Sequence, residues 1–336
     1  MNREPFSPDK PFRTYDEQID LLIARGLIIQ DRGFAKHSLQ TYSYYDLVNG
    51  NVEPLLISEH PDHFKDGITF EILIQIRIIE DFLKPVFLSQ ILKIEKTFKT
   101  TIAYYVSENF GVNSNIGGYL DSSHYSQASS RKKRVKRTLK EIRDINDGNV
   151  RGIQGSPIIY YRTNHNHIPP WISVMEFTLG QTINWYKILP LEGRISVARQ
   201  LLPSNITLSD QKCVEYFTAI ISLIRQFRNH FAHNDVLSQM QSREKVNMKI
   251  INEILKIPIV KSSEILNKNM NNLFACVFCI LVLSNDTNQL KIFTSSINGA
   301  MEIVENSANT FNFKEIFGLP TDLISRIQRL IDIRSN

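Results

Sequence analysis

Residues 216–235, YFTAIISLIRQFRNHFAHND, have the apolar spacing of one packed helix. At 100° per residue, the large apolar side chains of this stretch share one face: Phe217, Ile220, Ile221, Ile224, Phe227 and Phe231. Arg228 stands near the centre of that face, about 20° from Phe217 on a helical wheel. A guanidinium in that position must meet a carboxylate, a phosphate or a polar cleft between helices. Arg228 is therefore the first candidate for a functional residue.

His233 follows Arg228 by five positions, about 140° around an ideal helix, so a straight helix does not bring the two side chains together. Either the helix distorts near its end at 234–235, or a second copy of the segment completes the site. Asn229 precedes His233 by four residues, so its amide can orient the imidazole. We take Arg228, Asn229 and His233 as the candidate catalytic group, with His230 in a supporting position. The alternative for His233 is a partner of the helix dipole.

A further helical pattern covers 86–108, after one at 69–84, and it carries charges inside its apolar stripe. That stripe contains Leu88, Ile91, Leu92, Phe98, Ile102 and Val106. Glu95 and Lys99 fall within the stripe, four residues apart with the acid first, which favours an ion pair. Charges on an apolar face are costly unless they are partnered. The pair is either a salt bridge at the rim of the core or a carboxylate that supports an active site.

The stretch 131–143, RKKRVKRTLKEIR, has eight basic side chains and one acid, Glu141. Such a cluster attracts polyphosphate by releasing condensed counterions. It follows the polar residues 111–130, so we predict an exposed, mobile insertion over 111–150. The alternative is a solvated helix face. The predicted RNA-binding residues are Arg131, Lys132, Lys133, Arg134, Lys136, Arg137 and Lys140.

The remaining periodicity predicts a mainly α protein. Thr14 and Glu17 form a capping-box pattern before an amphipathic stretch that Gly26 can terminate. Residues 172–189 and most of the chain after them are predicted to be helical. Ile158–Tyr161 has instead the composition of a short β-like piece.

The composition indicates a globular protein of the cytoplasm. Hydrophobic residues make up 42% and charged residues 22% of 336, which allows a sizeable core. Residues 1–10 do not resemble a signal peptide. The longest apolar run, 273–283, is too short to span a bilayer. Three cysteines do not form a disulfide framework: Cys213, Cys276 and Cys279.

We expect no metal and no cofactor. His165 and His167 stand two residues apart without a third ligand nearby. Cys276 and Cys279 have a C-x-x-C spacing, but they lie in the apolar run and are predicted to be core residues. The sequence has no glycine-rich phosphate-binding loop.

The segment 228–233 matches the R-x4-6-H motif of HEPN ribonucleases, including a polar residue after the arginine. More specifically, the chain resembles the Abi-like proteins (the AbiD and AbiF group) of bacterial abortive infection. The resemblance covers roughly 10–320, and its departures from the usual pattern are His230 and 235–238. The stretches that carry it are KPFRTYDEQIDLLIARGLIIQD, YSYYDL, IQIRIIEDFLKPVFLSQILKIEKTFKTTIAYY (like that group's paired central helices), PPWISVMEFTLG, RNHFAHN and FGLP.

This resemblance implies an N-terminal helical region over 1–66 and a HEPN-like helical domain over 67–336, with the insertion at 111–150. It implies a metal-independent endoribonuclease that leaves a 2′,3′-cyclic phosphate and a 5′-hydroxyl, and a role in phage defence. It also implies a restraining small noncoding RNA as antitoxin. The site is completed either in a homodimer or by an internal second half in which Glu95 and Lys99 face Arg228. The alternative function is a non-catalytic RNA-binding dimer.

Overall fold

The computed structural model describes residues 10–50, 53–59, 62–114, 117–149, 157–203, 208–261, 263, 269–284, 286–307 and 316–335. The α-helices whose two ends lie within these ranges are α1 Tyr15–Ala24, α2 Arg32–Thr41, α3 Phe70–Phe110, α4 Lys132–Asn146, α5 Pro157–Asn164, α6 Pro170–Ser173, α7 Leu179–Ile188, α8 Leu191–Leu201, α9 Asp210–Ala232, α10 Met248–Leu255, α11 Leu273–Leu283, α12 Thr287–Ser307 and α13 Leu323–Ser335. The strands of the described part form two antiparallel pairs, β1 Leu56–Glu59 with β2 Asp62–Phe64, and β3 Val246–Asn247 with β4 Asn269–Met270. The predicted mainly α class is confirmed.

Residues that lie close in space group into two compact units. The first unit combines Met1–Lys84 with Asp235–Met240 and Ser296–Thr321. The second unit combines Pro85–Asn234, Gln241–Ser295 and Asp322–Asn336. Each unit is therefore assembled from segments that are distant in sequence. The division predicted from sequence, between 66 and 67, stays a prediction.

The first unit begins with the helix that the capping pattern predicted. The Thr14 side chain accepts the N–H of Glu17 at 3.3 Å, and the Glu17 carboxylate accepts the N–H of Thr14 at 2.7 Å. This capping box satisfies N–H groups that the first turn leaves unpaired. Gly26 follows the helix at φ +88, and a Cβ there would lie 3.0 Å from His63 Nε2. The predicted start and end of α1 are thus confirmed.

The predicted pair of helices at 69–84 and 86–108 is one helix, α3, with Pro85 in its interior. A proline inside a helix removes one hydrogen bond and costs about 3 kcal/mol. Ile79 and Leu83 are buried before it, and Phe87 and Ile91 are buried after it. Burial of one such side chain stabilises by about 1.5–3 kcal/mol, so packing on both sides outweighs the proline. The expected break at this position is therefore wrong.

The core of the second unit is built around α9 and α11, which pack against each other. Every residue of α11 is buried. Phe217 of α9 meets the rings of Phe98 and Tyr186 edge-on, at centroid distances of 5.5 and 5.2 Å. Within the described stretches, no helix has the length and apolar content needed to cross a membrane.

The cysteines are buried in this unit, as predicted for Cys276 and Cys279. Burial raises the pKa of both of these thiols, which keeps them protonated and unreactive. We expect a charged aromatic disulfide reagent to modify no cysteine of the native protein, and all three of them after denaturation in guanidinium. Release of the coloured product can be followed by absorbance. Rapid reaction of the native protein would contradict this packing.

The predicted exposure of the insertion at 111–150 is wrong for much of the part that the structure describes, whereas its mobility stays a prediction. Helix α4 packs against α7, and Val135, Leu139 and Ile142 are buried on one side of it. The polar residues before it also fold inward, since Tyr119 and Tyr125 are buried. The i, i+4, i+7 spacing of the three apolar residues was present in the sequence. The prediction did not use this apolar spacing because basic residues make up most of the stretch 131–143.

A chain of buried hydrogen bonds fixes this region. Trp185 Nε1 donates to the Tyr125 hydroxyl at 2.9 Å, and that hydroxyl donates to the Tyr119 carbonyl at 2.7 Å. Asn146 Nδ2 donates to the Tyr119 hydroxyl, and Asn146 Oδ1 accepts from Ser173, both at 2.7 Å. Burial raises the pKa of Tyr119 to about 12. A satisfied buried network of this kind holds α4 and α7 in one arrangement.

The β-like piece predicted at Ile158–Tyr161 is also wrong, because these residues lie in α5. Pro157 stands at the first position of that helix, where its missing N–H has no helical partner to lose. Ile158 is buried, while Tyr160 is exposed. Local β propensity is a weak guide when a proline can start a helix and tertiary packing is available.

Candidate functional site

Helix α9 places Arg228 at the edge of a packed surface. The predicted apolar face is buried: Phe217, Ile220, Ile221, Ile224, Phe227 and Phe231. The Arg228 side chain keeps 37% of its surface exposed. It is therefore half-buried beside the core, and its charge must find a partner there.

The partner of Arg228 is the predicted acid of α3. Arg228 Nε lies 3.8 Å from Glu95 Oε2, and Lys99 Nζ lies 2.9 Å from Glu95 Oε1. The predicted ion pair between Glu95 and Lys99 is thus present, and its carboxylate also faces Arg228. One carboxylate between two cations leaves a net charge of +1. This cluster can accept an anion such as a phosphate group.

The contact between Arg228 and Glu95 is electrostatic and not a hydrogen bond. Arg228 Nε and Glu95 Oε2 are both buried, and neither has a hydrogen-bond partner. Their separation exceeds the range of an N–H···O bond. The carboxylate therefore holds the guanidinium in place without occupying its donors, which remain able to bind another acceptor.

His233 lies at the end of α9. The helix ends at Ala232, and His233 is its C-cap residue, with φ −92 and ψ 3. Asn234 has a left-handed φ of 60, so the chain leaves the helical path immediately afterwards. His233 is exposed, and its imidazole is accessible to a substrate. The left-handed Asn234 lies within 234–235, where the sequence predicted that the helix would distort.

Asn229 and His230 are placed differently from the prediction. Asn229 is exposed, and its backbone carbonyl accepts the N–H of His233 at 2.9 Å. Within the described residues, no hydrogen bond joins the Asn229 amide to the imidazole. The Nε2 atom of His230 lies 3.1 Å from the Gln241 carbonyl oxygen, and its ring meets Phe227 at 5.9 Å. His230 therefore ties α9 to the segment that begins at Gln241.

A groove of about 860 Å³ lies beside the Glu95 and Lys99 pair. Trp171 and Met175 line it together with residues of α3, among them Lys96 and Tyr104. Trp171 is 48% and Tyr104 62% exposed. This groove was not predicted from the sequence. The pattern that could have indicated it is a row of apolar and lysine residues on the outer side of α3, which includes Leu92. Leu92 was predicted to lie in the core stripe, but it is 44% exposed.

The predicted RNA-binding residues lie on the solvent side of α4. Six of them are exposed: Lys132, Lys133, Arg134, Lys136, Arg137 and Lys140. Arg131 is half-buried, and its Nη1 donates to the carbonyl oxygen of Lys187 at 3.4 Å. Arg137 lies 3.8 Å from Glu141, an exposed ion pair that contributes little. The face therefore has a strong net positive charge.

Among the described residues, no group of three or more His, Cys, Asp or Glu side chains is arranged to hold a metal ion. The two histidines considered as metal ligands, His165 and His167, contact different residues. His165 packs against Tyr161 at a centroid distance of 4.5 Å, and His167 Nδ1 lies 2.8 Å from Asn166 Oδ1.

Comparison with families of known proteins gives a match over the centre of the chain. Residues 37–238 match the family described as Abi-like protein, a range that is more than half of the chain. It includes Glu95, Lys99, the α4 basic face, Arg228 and His233. No curated protein and no solved structure matches the chain. The chain therefore belongs to the Abi-like protein family, which indicates a role in abortive infection, the defence of bacteria against phage.

Proposed function

We propose that this protein acts in abortive infection as an endoribonuclease of the HEPN type that needs no metal ion. The observation that carries the proposal is the cluster at the end of α9. Arg228 lies 3.8 Å from a carboxylate that Lys99 already neutralises, and the same helix ends at the exposed His233. A cation with free donors and an exposed imidazole five residues further along the chain are the two groups that phosphodiester chemistry requires.

The proposed reaction is transesterification within the RNA strand. The ribose 2′-oxygen bonds to the adjacent phosphorus, and the bond from that phosphorus to the 5′-oxygen of the next nucleotide breaks. The 2′-hydroxyl proton is lost and the leaving 5′-oxygen gains a proton. His233 moves a proton at one of these oxygens, because an imidazole can both accept and donate a proton. Arg228 stabilises the charge that develops on the phosphate oxygens.

The surroundings suit RNA as the substrate. The exposed rings of Trp171 and Tyr104 offer faces on which unpaired bases can stack. Lys96 and Lys99 line the same groove and can approach the backbone. The basic face of α4 supplies a larger, sequence-independent attraction.

A growth-arresting nuclease must be held inactive until infection. We propose that a small cognate noncoding RNA is the inhibitor, because the same basic surface that attracts a substrate can hold a folded RNA. Completion of the site in a homodimer stays a prediction.

Expression in a bacterial host without a cognate inhibitor tests the proposal. We expect the wild-type protein to stop growth, whereas His233→Ala and Arg228→Ala are harmless although they accumulate in folded form. Colony counts after induction, with Western blots and circular dichroism of the purified variants, give the result. Equal toxicity of all three proteins would exclude the nuclease and favour the non-catalytic RNA-binding alternative.

A further inference from the structure

Cations outside α4 continue its basic surface within the second unit. Arg131 Nη1 donates to the Lys187 carbonyl, which joins the beginning of α4 to the last turn of α7. At the other end of α7, Arg225 of α9 packs over Gly180. Its Cδ and Nη1 lie 3.5 Å from the position that a Cβ of Gly180 would occupy.

The contact of Arg131 with Lys187 and the contact of Arg225 with Gly180 lie on one face of α7. Gly180 and Lys187 are seven residues apart, so they share a face of the helix and are separated by about 10 Å along its axis. Arg225 lies at one end of this face, with Lys187 and Arg131 at the other. Three helices, α4, α7 and α9, thus contribute cations to the same side of the unit.

The charges on this surface repel one another. Burial lowers the pKa of Lys187, and the neighbouring charges of Arg134 and Arg225 lower it further. Glu244 is the one acid that raises it. Among the described residues, no carboxylate lies within ion-pair distance of Arg134, Lys187 or Arg225. Cations held together in this way are stabilised by a bound anion.

The surface ends beside the candidate catalytic cluster. Arg225 and Arg228 are three residues apart on α9, which makes them surface neighbours with Cβ atoms about 5–6 Å apart. A ligand that follows the basic residues of α4 past Lys187 and Arg225 therefore arrives at Arg228. A chain of phosphates matches such a row of cations better than a single anion does.

We propose that Lys187 and Arg225 join the α4 face into one phosphate-binding track, along which the RNA backbone is guided to Arg228. This inference rests on the proposed function for its ligand. Lys187 and Arg225 bind and position the RNA, and they take no part in bond breakage. Nothing in the sequence pattern singled them out, because they lie on two different helices.

The test is the salt dependence of RNA binding. A fluorescent single-stranded RNA is titrated, by anisotropy at several salt concentrations, with the full chain carrying His233→Ala to prevent cleavage. Each phosphate contact contributes about 0.7 to the slope of log affinity against log salt. We expect Lys187→Gln with Arg225→Gln to reduce that slope by about 1.4, and to weaken binding at low salt.

Two further pairs make the result specific. Lys212→Gln with Lys291→Gln removes the same charge from exposed positions outside the track, and should leave the slope unchanged. Lys187→Arg with Arg225→Lys keeps the charge and should also keep the slope. An unchanged slope for the glutamine pair on the track would overturn the inference, as would an equal reduction for either control pair. A thermal melt of each variant confirms that it folds.

Cleavage by the protein with an intact His233 separates this inference from the proposed function. If the protein with an intact His233 does not cleave RNA but the glutamine pair reduces the salt slope as expected, the phosphate-binding track is supported and the nuclease is excluded. If the protein cleaves RNA but the glutamine pair leaves the salt slope unchanged, the nuclease is supported and the track is wrong.

Discussion

Replacing Glu80 with alanine is expected to destabilise the first unit by about 3–5 kcal/mol, because it removes a fully buried carboxylate that lies beside the buried cation Lys84. Glu80 is fully buried on α3. Its Oε2 lies 3.5 Å from Lys84 Nζ and 3.7 Å from Arg77 Nη1. Its Oε1 accepts the backbone N–H of Leu237. One carboxylate thus partners two buried cations and holds the segment Asp235–Met240 within this unit.

The effect is expected to come from Lys84, which is 4% exposed, because Arg77 keeps its ion pair with Asp81 at 2.8 Å. Burial lowers the pKa of Lys84, while Glu80 raises it. Without the carboxylate, Lys84 loses the strongest of the influences that raise its pKa, and burial then favours a lysine that loses its proton or leaves the core. Urea denaturation followed by circular dichroism measures the loss of stability.

Two variants show whether the buried charge is responsible. Glu80→Gln keeps an acceptor for the Leu237 N–H but removes the charge, so it should cost less than alanine. Asp16→Ala breaks the exposed ion pair between Asp16 and Lys36 in the same unit, and should cost less than about 1 kcal/mol. If Glu80→Ala costs no more than Asp16→Ala, the buried cluster does not stabilise the unit.

Replacing His233 with alanine is expected to slow RNA cleavage by about 10²- to 10⁴-fold, the usual contribution of a general acid or base. The imidazole is exposed at the end of α9, so its loss should leave the fold and RNA binding unchanged. Single-turnover cleavage of a labelled RNA gives the rate, and mapping of the product ends identifies the chemistry. The wild type should produce 2′,3′-cyclic phosphate ends.

A histidine outside the site provides the control. His37 is exposed on α2, and His37→Ala should cleave at the wild-type rate. Residual cleavage by His233→Ala equal to that of the wild type would show that another group moves the proton. Loss of RNA binding in His233→Ala would indicate a binding residue and not a catalytic one.

Short-range patterns predicted much of the secondary structure. The capping box at Thr14 and Glu17, the buried face of α9 and the burial of α11 all follow from spacings of three or four residues. Such patterns are reliable because their partners lie within one helical turn. The ion pair between Glu95 and Lys99 was predictable for the same reason.

Patterns that depend on distant partners were misread. The basic residues of α4 obscured three apolar residues whose burial depends on α7. Pro85 suggested a break, which packing on both sides of α3 prevents. Glu80 gave no signal at all, because its contact with Leu237 joins residues 157 positions apart in the chain.

The mainly α class, and the need of Arg228 for a carboxylate, a phosphate or a polar cleft, could be predicted from the amino-acid sequence, because helical periodicity and the cost of burying a charge are local properties. The identity of the partner, Glu95 shared with Lys99, and the approach of cations from α4, α7 and α9 to one another depend on how the helices pack. These side chains meet through helix packing, whose geometry depends on the whole core and not on any single segment.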